Sequence, residues 1–163
     1  MQLVAYGAQD TYLTGNPQIT FFKVVYRRHT NFSIEAIAQT LNGNPKAGQT
    51  FSCTVSRNGD LIHRTYLQLK LGSGGSVDNV ADIINTVEVE IGGQRIDRHT
   101  GAWMDVWNEL TQEASKKTAF GKMTGGGNGD TLYVPLQFWF CRNAGLALPL
   151  IALQYHEVKI NCT

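Results

Sequence analysis

The segment Ile83 to Arg98, IINTVEVEIGGQRIDR, constrains the fold of this chain more than any other. Val87, Val89 and Ile91 alternate with Glu88 and Glu90, a period of two that places apolar side chains on one face of a strand and charges on the other. Gly92-Gly93 follows at once. Two-residue hairpin loops need positive φ, which glycine adopts without a Cβ clash, so Gln94 to Arg98 reads as the return strand. That register sets Arg95 opposite Glu90 and diagonal to Glu88, a cross-strand ion pair of roughly 0.2–1 kcal/mol that locks register more than it stabilises.

The same grammar recurs along the chain. Ile19 to Tyr26 (ITFFKVVY) is β-branched and aromatic and follows a turn-like Gly15-Asn16-Pro17. Ser33 to Leu41 is a weaker strand, with Ile34, Ala36 and Ala38 on one face. Phe51 to Arg57 alternates, with Phe51, Cys53 and Val55 on one side. Leu61 to Leu71 alternates again, with Leu67, Leu69 and Leu71 together. A three-residue loop at Asn58-Gly59-Asp60 would make these two a hairpin, with Phe51 facing Leu67 and Cys53 facing Thr65. The alternative leaves the two strands in opposite sheets. Thr131 to Phe140 and Gln154 to Asn161 complete the strands. The 17 glycines cluster between such runs, as in Gly72 to Ser76 and in Gly125 to Asp130, the latter expected to be a mobile loop.

One helix interrupts the pattern. From about Ala102 to Lys117, Trp103, Trp107, Leu110 and Ala114 recur at helical spacing, Asp105 lies in the first turn and Lys116-Lys117 in the last. Glu113 and Lys117 form an expected i,i+4 pair. At 163 residues the chain suits one domain. With seven or eight strands and no βαβ alternation, the pattern implies an all-β antiparallel sandwich or jelly roll; the expectation adopted is an eight-stranded jelly-roll sandwich with one inserted helix at about 102–117.

Composition narrows the function classes. Fourteen lysines and arginines against 13 acids give a formal net charge of +1, too balanced for a domain that binds nucleic acid with its whole surface. Cys53, Cys141 and Cys162 are odd in number and lack CxxC spacing, which favours reduced thiols. The start lacks a basic region followed by a long apolar one, so no signal peptide is expected. Ala144 to Leu153 is too short to span a bilayer and carries Pro149. The sequons Asn31-Phe32-Ser33 and Asn161-Cys162-Thr163 read as chance matches in such a protein.

No catalytic, metal or cofactor residues are expected. His29, His63, His99 and His156 are scattered singly, and His156-Glu157 is followed by Ile160 where a zinc-protease motif needs histidine. Gly121-Lys122-Met123 lacks the P-loop pattern, Gly125-x-Gly127 follows a helix and precedes a strand, and no Gly-x-Ser-x-Gly elbow occurs. Arg27-Arg28-His29 is the notable basic cluster. It reads either as a contact for an acidic partner or as a solvated strand end. Phe138-Trp139-Phe140 reads as core packing, because alternation must bury some of these rings, or as an exposed binding stripe.

Longer blocks carry a family resemblance. Gly15 to Phe32, GNPQITFFKVVYRRHTNF, with Gly92 to Asp97 and Trp103, and with PLQFWFCRNAGLALPLIALQYHEVKIN over 135–161, resembles the major capsid protein of large nucleocytoplasmic DNA viruses of algae and amoebae. The resemblance implies a double jelly roll. Residues 1–18 would be an N-terminal arm and 19–163 the first jelly roll, with the second absent from this sequence, which stops where the first would end. It implies a homotrimer forming pseudo-hexagonal capsomers that tile an icosahedral virion shell. The protein would be made in the host cytoplasm, with neighbouring capsomers and minor capsid proteins as partners, an internal membrane nearby and no direct nucleic acid. It brings no catalytic residues and no cofactors, so the chain is not expected to be an enzyme. Arg27, Arg28 and His29 become assembly or interface candidates, at an inter-subunit or inward-facing surface. The alternative is a carbohydrate-binding, lectin-like jelly roll using Trp139 or Tyr133. A cupin-like metalloenzyme is a third class, which would hold stoichiometric metal.

Overall fold

A computed structural model of the chain describes Ala8, residues 29–127 and residues 129–163. The expected strand Ile19–Tyr26, with Arg27 and Arg28, lies outside the described residues. The chain divides into two compact units, Met1–Ile37 and Ala38–Thr163. In the first, Ala8 is helical and exposed, and 29–37 is exposed without regular secondary structure.

The second unit is a jelly-roll sandwich of short antiparallel strands: β1 (Leu41–Asn42), β2 (Phe51–Thr54), β3 (Leu61–Ile62), β4 (Tyr66–Lys70), β5 (Thr86–Ile91), β6 (Gln94–Thr100), β7 (Thr131–Pro135), β8 (Leu148–Pro149) and β9 (Val158–Cys162). One sheet runs β1-β2-β9-β5-β6; β3 pairs with β8, and β4 with β7. Register explains the core. Val87, Val89 and Ile91 of β5 stand opposite Cys162, Ile160 and Val158 of β9, so each apolar row continues across the strands. From the β4–β7 ladder, Leu67 faces Val134 and Leu69 faces Leu132. Val87, Val89, Leu132, Val134, Phe138 and Phe140 are buried in one apolar cluster, with Leu67, Leu69 and Leu71 packed against it.

The β5–β6 hairpin follows the sequence. Gly92 and Gly93 have φ of 60° and 83°, Glu90 pairs with Arg95, and the register shifts after Val89, leaving Ile96 as a bulge. The hairpin expected between Phe51–Arg57 and Leu61–Leu71 does not form. β2 pairs with β1 and β9 instead, and the second run breaks into β3 and β4, which pair with β8 and β7. Alternation states which side chains face inward, and Phe51 and Leu67 both do; it does not state the partner. The alternative of separate sheets is the one realised. Ser33–Leu41 is likewise irregular up to β1, and the run Thr131–Phe140 ends as a strand at Pro135.

The helical insertion is two helices, α1 (Gly101–Thr111) and α2 (Ala114–Thr124), separated by extended backbone at Gln112 and Glu113. Gly101 decides which face of α1 is buried. A Cβ there would stand 1.9 Å from the Ala81 carbonyl oxygen, so the helix starts hard against the 3₁₀ turn Val80–Ile83. Gly101, Met104 and Asn108 therefore face inward, and Leu110, expected on the buried stripe, is 79% exposed. The break also re-pairs the charges: Glu113 meets Lys116 at 3.4 Å, and Lys117 pairs with Glu109 across the gap. The loop expected to be mobile is held at its start. Gly126 and Val77 exchange both backbone hydrogen bonds at 2.9 Å, and the Gly127 amide donates to Asp130. A short helix α3 (Trp139–Arg142) follows β7.

Candidate functional site

Of the assembly candidates, Arg27 and Arg28 lie outside the described residues, and His29 is exposed. The remaining candidate chemistry can be tested group by group. Among the described residues no three His, Cys, Asp or Glu side chains converge on a point that could hold a metal ion. Burial raises the pKa of all three thiols: Cys162 is pushed up to about 11 by burial and by the nearby Cys53, while Cys53 and Cys141 also rise through burial. Such thiols stay protonated near neutral pH and are poor nucleophiles. A cleft of about 560 Å³ beside α1 is lined by Asp82, Ile84, Asn85, Thr100, Ala102 and Asp105, and the Thr100 hydroxyl there accepts from the Trp103 amide as the helix cap.

What the fold does present is faces. Outward side chains of the five-stranded sheet form a charged lattice: Glu88 accepts from Arg95 and lies 3.3 Å from both Arg95 and Arg98, and Asn161 donates to Glu90. Asn161 is thereby tied to a neighbouring strand on the outer face of the sheet. The outer face of the β4–β7 ladder carries Tyr66, Gln68, Lys70, Thr131 and Tyr133, with Gln68 donating to the Tyr133 hydroxyl at 3.4 Å. Tyr66 and Tyr133 are 49% and 40% exposed. Trp139, by contrast, is half-buried and meets Phe140 edge-on at 5.0 Å. The core reading of Phe138-Trp139-Phe140 therefore holds.

A third face is built from the turns around β8. Leu146, Ile151 and Tyr155 are exposed, and Leu61 is exposed opposite Pro149. Arg57 fixes these turns by donating to the carbonyls of Gln154 at 2.6 Å, Leu153 at 2.7 Å and His156 at 3.1 Å. Carbonyls at the end of a 3₁₀ turn have no partners within it, and a cation there also suits the local dipole. Sequence reasoning weighed Ala144–Leu153 only as a membrane span. The missed signal was an apolar run interrupted by Gly145 and Pro149, which forces turns and leaves apolar side chains outside. Exposed apolar surface of this kind marks contact sites.

The β6–α1 joint holds a stacked series. His99 stacks on Trp103 at 4.1 Å and on Phe138 at 5.0 Å, Trp103 stacks on Trp107 at 5.5 Å, and the Arg142 guanidinium sits 4.3 Å over Trp107. The spacing of four from His99 to Trp103 to Trp107 was the signal, hidden because His99 precedes the helix.

The geometry is thus one of packing faces around a closed core, and comparison with known proteins fits it. The family profile described as "Major capsid protein N-terminus" matches residues 20–163. The chain belongs to the major capsid protein family. The major capsid protein of Pyramimonas orientalis virus is 57% identical, over 99% of this chain and 45% of its own length. That of Paramecium bursaria Chlorella virus 1 is 51% identical, over 99% of this chain and 39% of its own length. The chain therefore spans less than half the length of these relatives. The crystal structure of PBCV-1 VP54, fitted into a cryo-EM reconstruction of the virophage Sputnik, superposes with a TM-score of 0.76 at 44% identity, covering 88% of this chain and 37% of that one. The jelly-roll capsid fold and the resemblance read from the sequence both stand.

Proposed function

We propose that this chain is an assembly subunit that trimerises into pseudo-hexagonal capsomers tiling an icosahedral shell. In this reading residues 19–163 form the first of two jelly rolls, 1–18 an arm, and the work is packing rather than catalysis. Minor capsid proteins are further partners, with a membrane inside the shell and no direct contact with nucleic acid. The observation that carries the proposal is the family match over 20–163. The physics is consistent with it. The sandwich hides its apolar sheet faces and leaves outer faces for neighbours, and a stable interface needs about 1,200–2,000 Å² of total buried surface. Tyr66, Tyr133, Ile151 and Tyr155 supply the aromatic and apolar anchors that interface cores favour.

We further propose that Arg27, Arg28 and His29 lie at an inter-subunit or inward-facing surface. The test compares the full-length protein, with both jelly rolls, in its native form and in a variant carrying Arg27→Glu and Arg28→Glu, reading three-copy species by light scattering as concentration rises. The expected result is trimer in the first and markedly less in the second. A native chain that stays monomeric would overturn the function, whereas equal trimer in both would overturn only the site. The lectin reading keeps Tyr133 beside Gln68 but loses Trp139 to the core; binding to a saccharide array without self-association would favour it.

A further inference from the structure

The joint between β6 and α1 is built around a histidine with an unusual setting. His99 is 8% exposed and stands opposite Val87 in the β5–β6 register, on the inward face of the sheet. Its ring lies between Trp103 of α1 and Phe138 of the segment before α3. Its Nε2 is 3.1 Å from Asp97 Oδ2, on the same face two residues back. The same imidazole thus touches the sheet, the helix and the core.

We infer that His99 is an acid-sensitive latch, holding β6 and α1 to the core while neutral and loosening that joint when protonated. A neutral imidazole loses comparatively little hydration when it stacks between the two rings, whereas an imidazolium in this place gives up a much larger hydration energy. Two charged groups face it. Asp97 on β6 favours the proton, and Arg142 on α3, which caps the aromatic series over Trp107, opposes it. Trp103 and Phe138 carry no titratable group. Burial outweighs Asp97, and the pKa of His99 lies below the usual histidine value of 6.5. The unfolded chain therefore takes up this proton first as pH falls. The contribution of His99 to stability is complete above about pH 6.5 and is lost as pH drops from there toward the lowered folded-state value. For a capsid subunit, a consequence that rests on the assembly reading above, the shell would soften in an acidic compartment and hold at neutral pH.

The full chain tests this without reference to assembly. Histidine-selective NMR titration of the folded protein is expected to show His99 titrating clearly below 6.5. In parallel, urea midpoints at pH 7.5 and 5.5 are expected to fall for the native chain and to change much less for His99→Phe, which keeps the ring stack and removes the proton site. A His99 that titrates at or above 6.5 would overturn the latch, as would an equal fall in both proteins. Should His99→Phe fail to fold, the NMR titration of the native chain decides alone. A latch confirmed in a chain that never self-associates would leave the inference standing and remove only its capsid consequence.

Discussion

Single side chains decide where the second unit closes. Gly101 is the clearest case, because the obstacle a Cβ would meet is backbone: the carbonyl oxygens of Ala81 at 1.9 Å and of Ile84 at 2.4 Å. Neither can rotate away as a side chain would, so α1 must shift off the 3₁₀ turn. Gly101→Ala is expected to lower unfolding free energy in urea by about 2–3 kcal/mol, the range of overpacked cores. Gly121, in α2, has open space around its Cβ position. Alanine there removes backbone freedom from the unfolded chain and is expected to stabilise by about 0.4–1 kcal/mol. Equal effects at the two sites would contradict the account of how α1 is positioned. The buried thiols complete this scale: with the Cys162 pKa raised to about 11, alkylation of the folded protein at neutral pH should be slow.

At the scale of elements, much of the local structure was legible in the sequence and much of the pairing was not. Val87, Val89 and Ile91 pointed inward as their alternation required, and Gly92-Gly93 turned the chain because only glycine meets the φ needed there without strain. Partner choice was hidden. Phe51 and Cys53 found Cys162 and Ile160, over a hundred residues away, because long-range pairing closes the sheet and alternation carries no address. The helix broke at Gln112-Glu113 without a glycine or proline to announce it, since the contact of Gly101 with the 3₁₀ turn sets its face. The exposed turns around β8 were likewise illegible, because their shape depends on Arg57 reaching across from the end of β2. Arg57→Ala is expected to speed amide hydrogen exchange at Leu153 and His156 by roughly tenfold while leaving the β5–β9 amides unchanged. Uniform acceleration across the sheet would mean that Arg57 supports the whole fold and not these turns alone.

At the largest scale, the described residues of the second unit give a closed core with worked outer faces: a charge lattice on one sheet, tyrosines on the β4–β7 ladder and apolar turns around β8. Under the assembly proposal, these outer faces are where repeated copies would meet. The candidate residues Arg27, Arg28 and His29 stand out in the sequence as a basic cluster, which on its own is equally compatible with a solvated strand end; their assembly role remains a proposal that the charge-reversal test decides. The measurement that bears most directly on assembly is the mass of the protein drawn from purified virus particles, once denatured and once intact under gentle release. The account predicts an intact species three times the denatured subunit mass. A species that remains a single subunit under every release condition would contradict it.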